Sequence, residues 1–523
     1  MCEGYGIWGG GGNAYGQRSI LPESRSTLPR CPEPTTLNVI GPEEKGCFEW
    51  FKDRTVEKLP GSFDSKFWDT LLFQAIVDEP SVLYAVLALS SIHRRKILWR
   101  NGPTRSGDVP DEHERFMLRQ YGKAIHHLQP HFASRSRASF RVALIACLVF
   151  TSLEFLRGRF ETAQTHLQNG LRVLREMDVY SSTDDNGIYV LKPSCDSVDD
   201  WVVGAFSRLY LAVELFSQRL HSCIILQITE AEPPAMIFRS TNQAWGRMDN
   251  LLFKVLHLTK DARRGTSKFL SVGFRSQLLG RQRKIREELA SWISTYRTSK
   301  IHAQSQKLVR EEFIYQMISM YHAMAEIMLE TCLCSDDESI YDLHTDKFVS
   351  IIARSVDNRR IRPSTSQFRA LPGVDMSRSI IDFGWIPPLY YTALKCRIHR
   401  VRLQAIRLLE SASHREGIWD SKIVARIARK VMEVEERDFY KDFNIADDFA
   451  LCSHPEERDL LLPILPELYR LYDVKIILFD EPMDKVLLSC RQKRSNGDWE
   501  ILSREYHIQS HCWMDAVIEK ENM

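Results

Sequence analysis

Cysteine and histidine residues at two places in the chain have the chemistry to bind a metal ion, since thiolate and imidazole groups are preferred zinc ligands. Two sets of three such residues occur: Cys332, Cys334 and His344, and His507, His511 and Cys512. His507 and His511 would share a face if they lay on one helix. Neither set has the spacing of a common zinc motif, so we predict structural roles and no metal site.

Adjacent acidic residues could supply a general acid and a general base. Two pairs of this kind are Asp199-Asp200 and Asp447-Asp448. Neighbouring acids more often cap helices or face water. The sequence has no Gly-x-Ser-x-Gly element, no kinase motif set and no Walker motif. We therefore predict no catalytic and no cofactor-binding residues, and a protein that is not an enzyme.

Short basic runs could contact phosphate groups or act as nuclear import signals. Three runs occur: Arg281, Arg283, Lys284 and Arg286; Arg359, Arg360 and Arg362; and Arg491, Lys493 and Arg494. The formal net charge of +2 gives no basic field over the whole surface, which argues against diffuse nucleic-acid binding. A solvated helix face or turn is the alternative interpretation of each run.

The run from Trp385 to Ser421 has the most distinctive pattern in the chain. Apolar residues recur at helical spacing from Leu389 to Leu408, which predicts one helix. Gly417 can end this helix, because glycine tolerates the left-handed capping conformation. Asp420 can begin the next helix by accepting a backbone N–H. The pattern predicts a corner between two helices.

Short motifs in this run resemble the fungal-specific transcription factor domain, the helical part of Zn(II)2Cys6 regulators. The residues that carry the resemblance are Gly384-Trp385, then Cys396-Arg397 with Arg402, then Arg415, Glu416, Gly417, Ile418, Trp419, Asp420 and Ser421. We predict structural roles for the motif residues, because capping and packing account for them without any site chemistry.

The segment 140–176 adds to the resemblance. It contains these elements in the family's order: Glu154-Phe155, Arg157-Gly158, Ala163, His166-Leu167, Gly170 and Leu174. The resemblance covers roughly 63–508 and is clearest at its two ends. A tetratricopeptide array is a structural alternative, but its period of about 34 residues does not recur here.

The predicted fold class is all-α, an array of packed helices and helix hairpins, because amphipathic stripes near period 3.6 follow one another from Phe63 onward. A long helix is expected over 299–332, and its methionines and aromatic residues either fill the core or line a ligand cavity. One small C-terminal β-hairpin is expected, since Asn496-Gly497 separates strand-like segments at 486–492 and 499–508.

The expected domains are a disordered Gly/Pro/Ser-rich tail at 1–45, the helical body at 46–480, and a C-terminal segment at 481–523 that contains the β-hairpin. The family's DNA-binding head needs six cysteines to hold two zinc ions. No Cys-x2-Cys pair occurs among the twelve cysteines. No cofactor is therefore expected, and zinc only if an N-terminal six-cysteine segment is missing from this chain.

The resemblance implies a nuclear transcription regulator that controls a metabolic or secondary-metabolite gene set. The partners it implies are related regulators in homo- or heterodimers, DNA contacted directly or through a partner, and a small-molecule effector. No membrane partner is expected, because the apolar run Val142 to Phe150 is far shorter than the ~20 residues that span a bilayer. The alternative is a helical co-regulator or partner-binding module without direct DNA binding.

Overall fold

The computed structural model describes residues 41–98, 112–134, 136–176, 181–183, 189–191, 198–217, 227–228, 237–266, 272–303, 309–334, 336–361, 379–412, 414–443, 445, 447–480, 485–494 and 496–516. It divides into two compact units. The N-terminal unit comprises Met1–Asp184 and Val190–Tyr210, and the C-terminal unit comprises Asp185–Tyr189 and Leu211–Met523. Residues 1–40 of the expected tail lie outside the described residues.

The N-terminal unit is helical. Its α-helices are α1 (Pro42–Trp50), α2 (Leu72–Asp78), α3 (Pro80–Leu98), α4 (Glu112–Ala133), α5 (Arg137–Arg157) and α6 (Phe160–Glu176). The next helix, α7 (Val198–Ser217), contains the division between the units. Short strands lie at β1 (Ser181–Thr183) and β2 (Tyr189–Leu191). Two further short strands, β3 (Gln227–Ile228) and β4 (Ser379–Ile380), belong to the C-terminal unit.

Helix α5 lies at the centre of the N-terminal unit, against α3, α4 and α6. The Ser136 side chain caps its first turn by accepting the Ser139 N–H. Gly158, at φ 87°, ends it in the left-handed conformation that glycine tolerates. By length and composition α5 could cross a membrane, but 83% of its most apolar window is buried within the protein. The core helix of a globular protein passes the same test.

Gly170 gives the family motif in α6 a physical reason, and it leads to a testable prediction. A Cβ atom there would lie 2.4 Å from the Phe206 ring and 2.8 Å from Cys147 Sγ. We expect Gly170→Ala to lower the free energy of unfolding by about 1–3 kcal/mol through overpacking. The matched control is Gly204→Ala in α7, where a Cβ meets nothing within 4 Å. It should be neutral or stabilising by about 0.5–1 kcal/mol. Urea denaturation of both variants checks this, and equal effects would contradict it.

The C-terminal unit contains α8 (Thr241–Thr266), α9 (Val272–Ala303), α10 (Val309–Thr331), α11 (Thr345–Ile361), α12 (Ile386–Lys395), α13 (His399–Glu410) and α14 (Ser421–Glu436). Of the helix expected over 299–332, residues 299–303 belong to α9 and Val309–Thr331 form α10, while residues 304–308 lie outside the described residues. Met317, Met320 and Met324 on α10 are buried in the core, as the packing interpretation of this run predicts.

A four-stranded antiparallel sheet follows the helices, with strand order β10-β9-β8-β7. Its strands are β7 (Leu471–Leu478), β8 (Lys485–Lys493), β9 (Trp499–His507) and β10 (Cys512–Asp515). The predicted hairpin is confirmed as β8 and β9, with Gly497 at φ 90° in the turn. The other two strands were not expected. The sheet starts at Leu471, upstream of the expected boundary at 481, and α1 starts at Pro42, inside the stretch assigned to the tail.

Candidate functional site

The run from Trp385 to Ser421, which we call the signature run, folds into two helices and a small hairpin. Helices α12 and α13 are separated at Cys396, whose extended backbone (ψ 134°) ends α12. The prediction of one helix ended by Gly417 is therefore wrong. Gly417, at φ 55°, instead forms the turn between β5 (Arg415–Glu416) and β6 (Trp419–Asp420), which pair in antiparallel fashion. A tight turn needs positive φ, so the glycine serves a hairpin and not a helix end.

The Glu416 carboxylate caps the start of α12 from inside the protein. It accepts the backbone N–H groups of Gly384 (3.0 Å), Trp385 (2.8 Å) and Ile386 (3.2 Å). A buried helix start has orphan N–H groups, and a carboxylate there also complements the helix dipole. A Cβ at position 384 would lie 2.1 Å from Glu416 Oε1, so only glycine fits. This explains the Gly-Trp motif and the glutamate of the second motif together.

The hairpin is closed by its own side chains. Arg415 Nη2 donates to Asp420 Oδ2 at 2.8 Å, and these two residues are directly opposite each other in the hairpin. Asp420 also accepts the N–H groups of Lys422 and Ile423, which makes it the N-cap that the sequence predicts for α14. Trp385, next to the cap, stacks on the His414 ring at 5.4 Å.

Trp419 anchors the hairpin in the core. Its indole Nε1–H donates to the Ala212 carbonyl at 3.0 Å. Its ring contacts Phe216 and Tyr390 edge-on, with centroid distances of 5.0 and 5.6 Å. Tryptophan gains most from burial when its N–H finds an acceptor, so this residue serves packing and not an exposed contact.

A buried cluster of opposite charges lies beneath the signature residues. Arg397 donates to Glu435 (2.9 Å) and Glu338 (3.1 Å), and Arg402 pairs with Glu435 and donates to the Ala393 carbonyl at 2.8 Å. The side chains of Arg402 and Glu435 are both 0% exposed. Burial alone would raise the pKa of Glu435, but Arg397 and Arg402 lower it overall. The carboxylate is therefore ionised, and we call this group the charge cluster.

The charge cluster extends to three further elements. Lys395 Nζ lies 2.5 Å from Glu338 Oε1, on the 3-10 helix Glu338–His344. Arg470 donates to the Glu338 carbonyl at 2.8 Å and pairs with Asp342 at 2.6 Å. Glu435 accepts the Leu471 N–H at 2.7 Å, which ties α14 to the first strand of the sheet. Cys396 lies beside the cluster, and burial raises the pKa of its thiol to about 12, so it stays protonated.

His399 joins the charge cluster at its edge and makes it sensitive to pH. Its ring nitrogens lie 2.7 Å from Glu436 and 2.9 Å from Asp447. Burial alone would lower the pKa of His399, but the two acids raise it above its ordinary value. A raised folded-state pKa stabilises the fold fully below the unfolded-state value, and that stabilisation is lost as pH rises through the folded-state value.

His399→Gln should therefore destabilise the protein more at pH 6 than at pH 9, because only the protonated ring gains from both acids. The measurement is the free energy of unfolding of variant and parent at the two pH values. His126→Gln, at an exposed histidine of α4, is the control and should show no such difference. An effect of His399→Gln that is independent of pH would mean that the ring packs there in its neutral form.

The first basic run lies on α9 and divides into paired and exposed members. Arg281 donates to Asp261 (2.6 Å) on α8, and Arg286 pairs with Glu330 (2.7 Å) on α10. Arg283 and Lys284 lie on the exposed face of the same helix. The structure thus does not present the four basic residues as one continuous surface.

The other two basic runs engage the surrounding chain. Arg360 donates to the Cys452 carbonyl at 2.8 Å, Arg491 lies over the Trp499 ring, and Arg494 pairs with Glu500 at 2.9 Å. Arg362 lies outside the described residues. These contacts agree with the interpretation of basic residues at turns and solvated faces.

The candidate metal ligands do not come together. Within the described residues no group of three or more His, Cys, Asp and Glu side chains could hold a metal ion. Cys332 is buried and Cys334 is exposed. His507 ends β9 and pairs with Glu505, whereas His511 contacts the Tyr506 hydroxyl. The idea that His507 and His511 share a helix face is wrong, because the segment forms strands.

The paired carboxylates also have structural partners. Asp199 accepts from Arg137 and Arg141 at 3.0 Å; burial alone would raise its pKa, but the two guanidinium groups lower it overall. Asp447 binds His399. A carboxylate held ionised by arginine is a poor proton donor, so Asp199 is not arranged for acid–base catalysis.

One part of the chain matches a known protein family. Residues 47–209 match the model of the fungal specific transcription factor domain. The match covers less than half of the chain and lies upstream of the signature run. The matched family consists of transcription regulators and not of enzymes.

Two curated relatives of this chain are named as transcription regulators. One is the transcription regulator lscL of Purpureocillium lilacinum, 22% identical over 333 residues, which are 58% of this chain and 74% of the relative. The other is the aspercryptin biosynthesis cluster-specific transcription regulator atnN of Emericella nidulans. It is 21% identical over 486 residues, which are 80% of this chain and 77% of the relative. No solved structure matches the regulator.

Several residues of the charge cluster were not predicted from the sequence. Glu338, Asp342, Glu435 and Arg470 have no motif of their own, and their partners are distant in the chain. One signal could have identified Glu435. It continues the buried stripe of α14 formed by Val424, Ala428 and Val431, and an acid in an apolar stripe needs a buried partner.

Proposed function

We propose that this regulator acts in the nucleus on the transcription of a secondary-metabolite gene set. The observation that carries the proposal is the likeness, over 80% of the chain, to a cluster-specific transcription regulator of aspercryptin biosynthesis. The helical body would act by binding partners or DNA.

The direct test is deletion and overexpression of the gene in its source organism, followed by transcript sequencing. We expect the transcripts of a biosynthetic gene set to fall on deletion and rise on overexpression if the regulator activates, or the reverse if it represses. A transcriptome that is unchanged in both strains under conditions that produce the metabolites would contradict the proposal.

Nuclear entry gives a second prediction, based on the exposed part of the α9 basic run. A fluorescent fusion of the full chain should lose at least half of its nuclear enrichment when Arg283 and Lys284 are both replaced by alanine. The control removes the same charge from another exposed helix face, through Arg172→Ala with Arg175→Ala in α6. Unchanged nuclear enrichment in the Arg283 and Lys284 variant would show that these residues form a solvated helix face and do not act in nuclear import.

A second candidate function is a co-regulator that reaches DNA through a partner. The observation that favours it is that this sequence contains no Cys-x2-Cys pair from which the family's zinc cluster could be built. In the same proposal, the chain forms dimers with related regulators and binds a small-molecule effector. Purified full chain should then contain no stoichiometric zinc and should not shift promoter DNA of the responding genes alone. A sequence-specific shift at physiological salt would favour direct binding.

A further inference from the structure

A long acidic surface segment connects α14 to the sheet. Residues 438–469 contain eight acidic and two basic side chains: Asp438, Asp442, Asp447, Asp448, Glu456, Glu457, Asp459 and Glu467, against Lys441 and Arg458. Its described part has no strand and only the short 3-10 helices Glu457–Leu460 and Glu467–Tyr469. Loops of this length in a compact domain are uncommon and usually have a function.

Two prolines set the conformation of its last part, residues 461–468, which we call the proline segment. Pro463 and Pro466 enclose Ile464 and Leu465, a Pro-x-x-Pro spacing. Pro466 has φ −60° and ψ 153°, the polyproline II conformation. In a polyproline II helix, which has three residues per turn, Pro463 and Pro466 would share one face. Both are exposed, whereas Leu465 is buried.

The proline segment is held in place through its backbone. The Tyr440 hydroxyl donates to the Pro463 carbonyl at 2.9 Å, and Arg470 Nε donates to the Leu465 carbonyl at 3.0 Å. Arg470 is itself fixed by Asp342, so the charge cluster supports the segment. An extended segment that is already ordered loses little conformational entropy when it binds.

Large apolar side chains remain exposed around the fixed backbone. Leu461 is 80% exposed, Leu468 47%, Ile464 43% and Phe443 41%. The Phe443 ring lies 6.1 Å from the Tyr440 ring and 6.2 Å from the Phe439 ring, and Phe439 also contacts Tyr469. These contacts link Phe443, through Tyr440, to Pro463 and, through Phe439, to Tyr469 just after the segment. Exposed apolar surface with a polar rim is typical of interaction sites.

We propose that the proline segment is a docking site for a partner protein whose groove is lined by aromatic side chains and edged by lysine or arginine. The Pro-x-x-Pro spacing fits the first property, because aromatic grooves recognise polyproline II segments. The acidic side chains around the segment fit the second, because complementary charge speeds and orients docking. Two prolines three residues apart disfavour an α-helix, which opposes the alternative that the segment binds as a helix in a partner's groove. This proposal does not depend on the gene set proposed above.

The test uses the full chain and a defined set of probes, the SH3, WW and EVH1 domains of the source organism, each purified singly. Binding is measured by biolayer interferometry. We expect at least one domain with a basic-edged groove to bind, and Pro463→Ala with Pro466→Ala to weaken it at least tenfold. Leu468→Glu should weaken it as well. The matched control is Leu118→Glu on α4, which is also 47% exposed and should have no effect.

Three results would overturn the proposal. The first is that none of the domains binds, or that the affinity is unchanged in the proline variants. The second is tighter binding after the prolines are removed, which would indicate a partner that takes the segment as a helix. The third is self-association of the full chain in sedimentation velocity that Leu468→Glu abolishes, which would make a second copy the occupant. Circular dichroism of each variant confirms that the fold is intact.

Discussion

Glu435→Ala is expected to lower the free energy of unfolding of the C-terminal unit by about 3–5 kcal/mol, because buried Arg402 loses its closest carboxylate and buried Arg397 keeps only Glu338. Arg402 is 0% exposed and Arg397 is 1% exposed, so water cannot replace the carboxylate. The substitution also removes the acceptor of the Leu471 N–H. Chemical denaturation of the full chain measures the effect.

The control for this variant is Glu433→Ala, which removes an exposed acid two positions earlier on α14 and should change stability by less than about 0.5 kcal/mol. The pH dependence adds a second readout. A lowered folded-state pKa stabilises above the unfolded-state value, and this stabilisation is lost as pH falls through the folded-state value. The difference in free energy of unfolding between the parent and Glu435→Ala should therefore become smaller at acidic pH. A deficit of less than about 1 kcal/mol at neutral pH would contradict the role of Glu435.

Gly384→Ala is expected to destabilise the C-terminal unit by about 3 kcal/mol or more, since overpacking costs about 1–3 kcal/mol and orphaned N–H groups add to it. The new Cβ would displace the Glu416 carboxylate from the three N–H groups that it caps. Glu416 is only 1% exposed, so its carboxylate is shielded from water. The midpoint of urea unfolding measures the change.

Two controls separate this clash from a general effect of alanine. Gly246→Ala in α8 places a Cβ where nothing lies within 4 Å and should stabilise the helix by about 0.5–1 kcal/mol. In a background of Glu416→Ala, Gly384→Ala should lose most of its cost, because its clashing partner is gone. An undiminished cost in that background would show that backbone conformation, and not Glu416, requires the glycine.

The sequence predicts local features well where one residue type has one physical reason. The Asp420 cap and the Asn496-Gly497 hairpin each follow from short-range chemistry, and the structure contains both. The packed methionines of α10 follow from helical periodicity in the same way. Fold class is accessible because every amphipathic helix needs a partner surface.

The sequence fails where distant segments meet. The break at Cys396 interrupts a continuous helical pattern, and the structure gives its reason: it positions Arg397 and Arg402 around Glu435, 38 and 33 positions away. The capping of α12 by Glu416 likewise joins residues about thirty positions apart. Gly417 was assigned to the wrong element because a left-handed glycine suits a helix end and a hairpin turn equally.

The burial of the signature residues bears on how variants of this regulator would fail. A change in Arg397, Arg402, Glu416 or Trp419 would act through unfolding and loss of the protein. A change in the proline segment would act through a lost contact, with the fold intact. Protein abundance measured beside transcript levels separates the two classes.

The most direct test of a structural charge cluster is a double-mutant cycle between Arg402 and Glu435. Each residue is replaced by methionine alone and together, and the four free energies of unfolding are compared. We predict that the double variant is less destabilised than the sum of the single variants by about 2 kcal/mol or more, because each single change leaves a buried charge unpaired. Additive effects would contradict the account, since they would show that the two charges do not depend on each other.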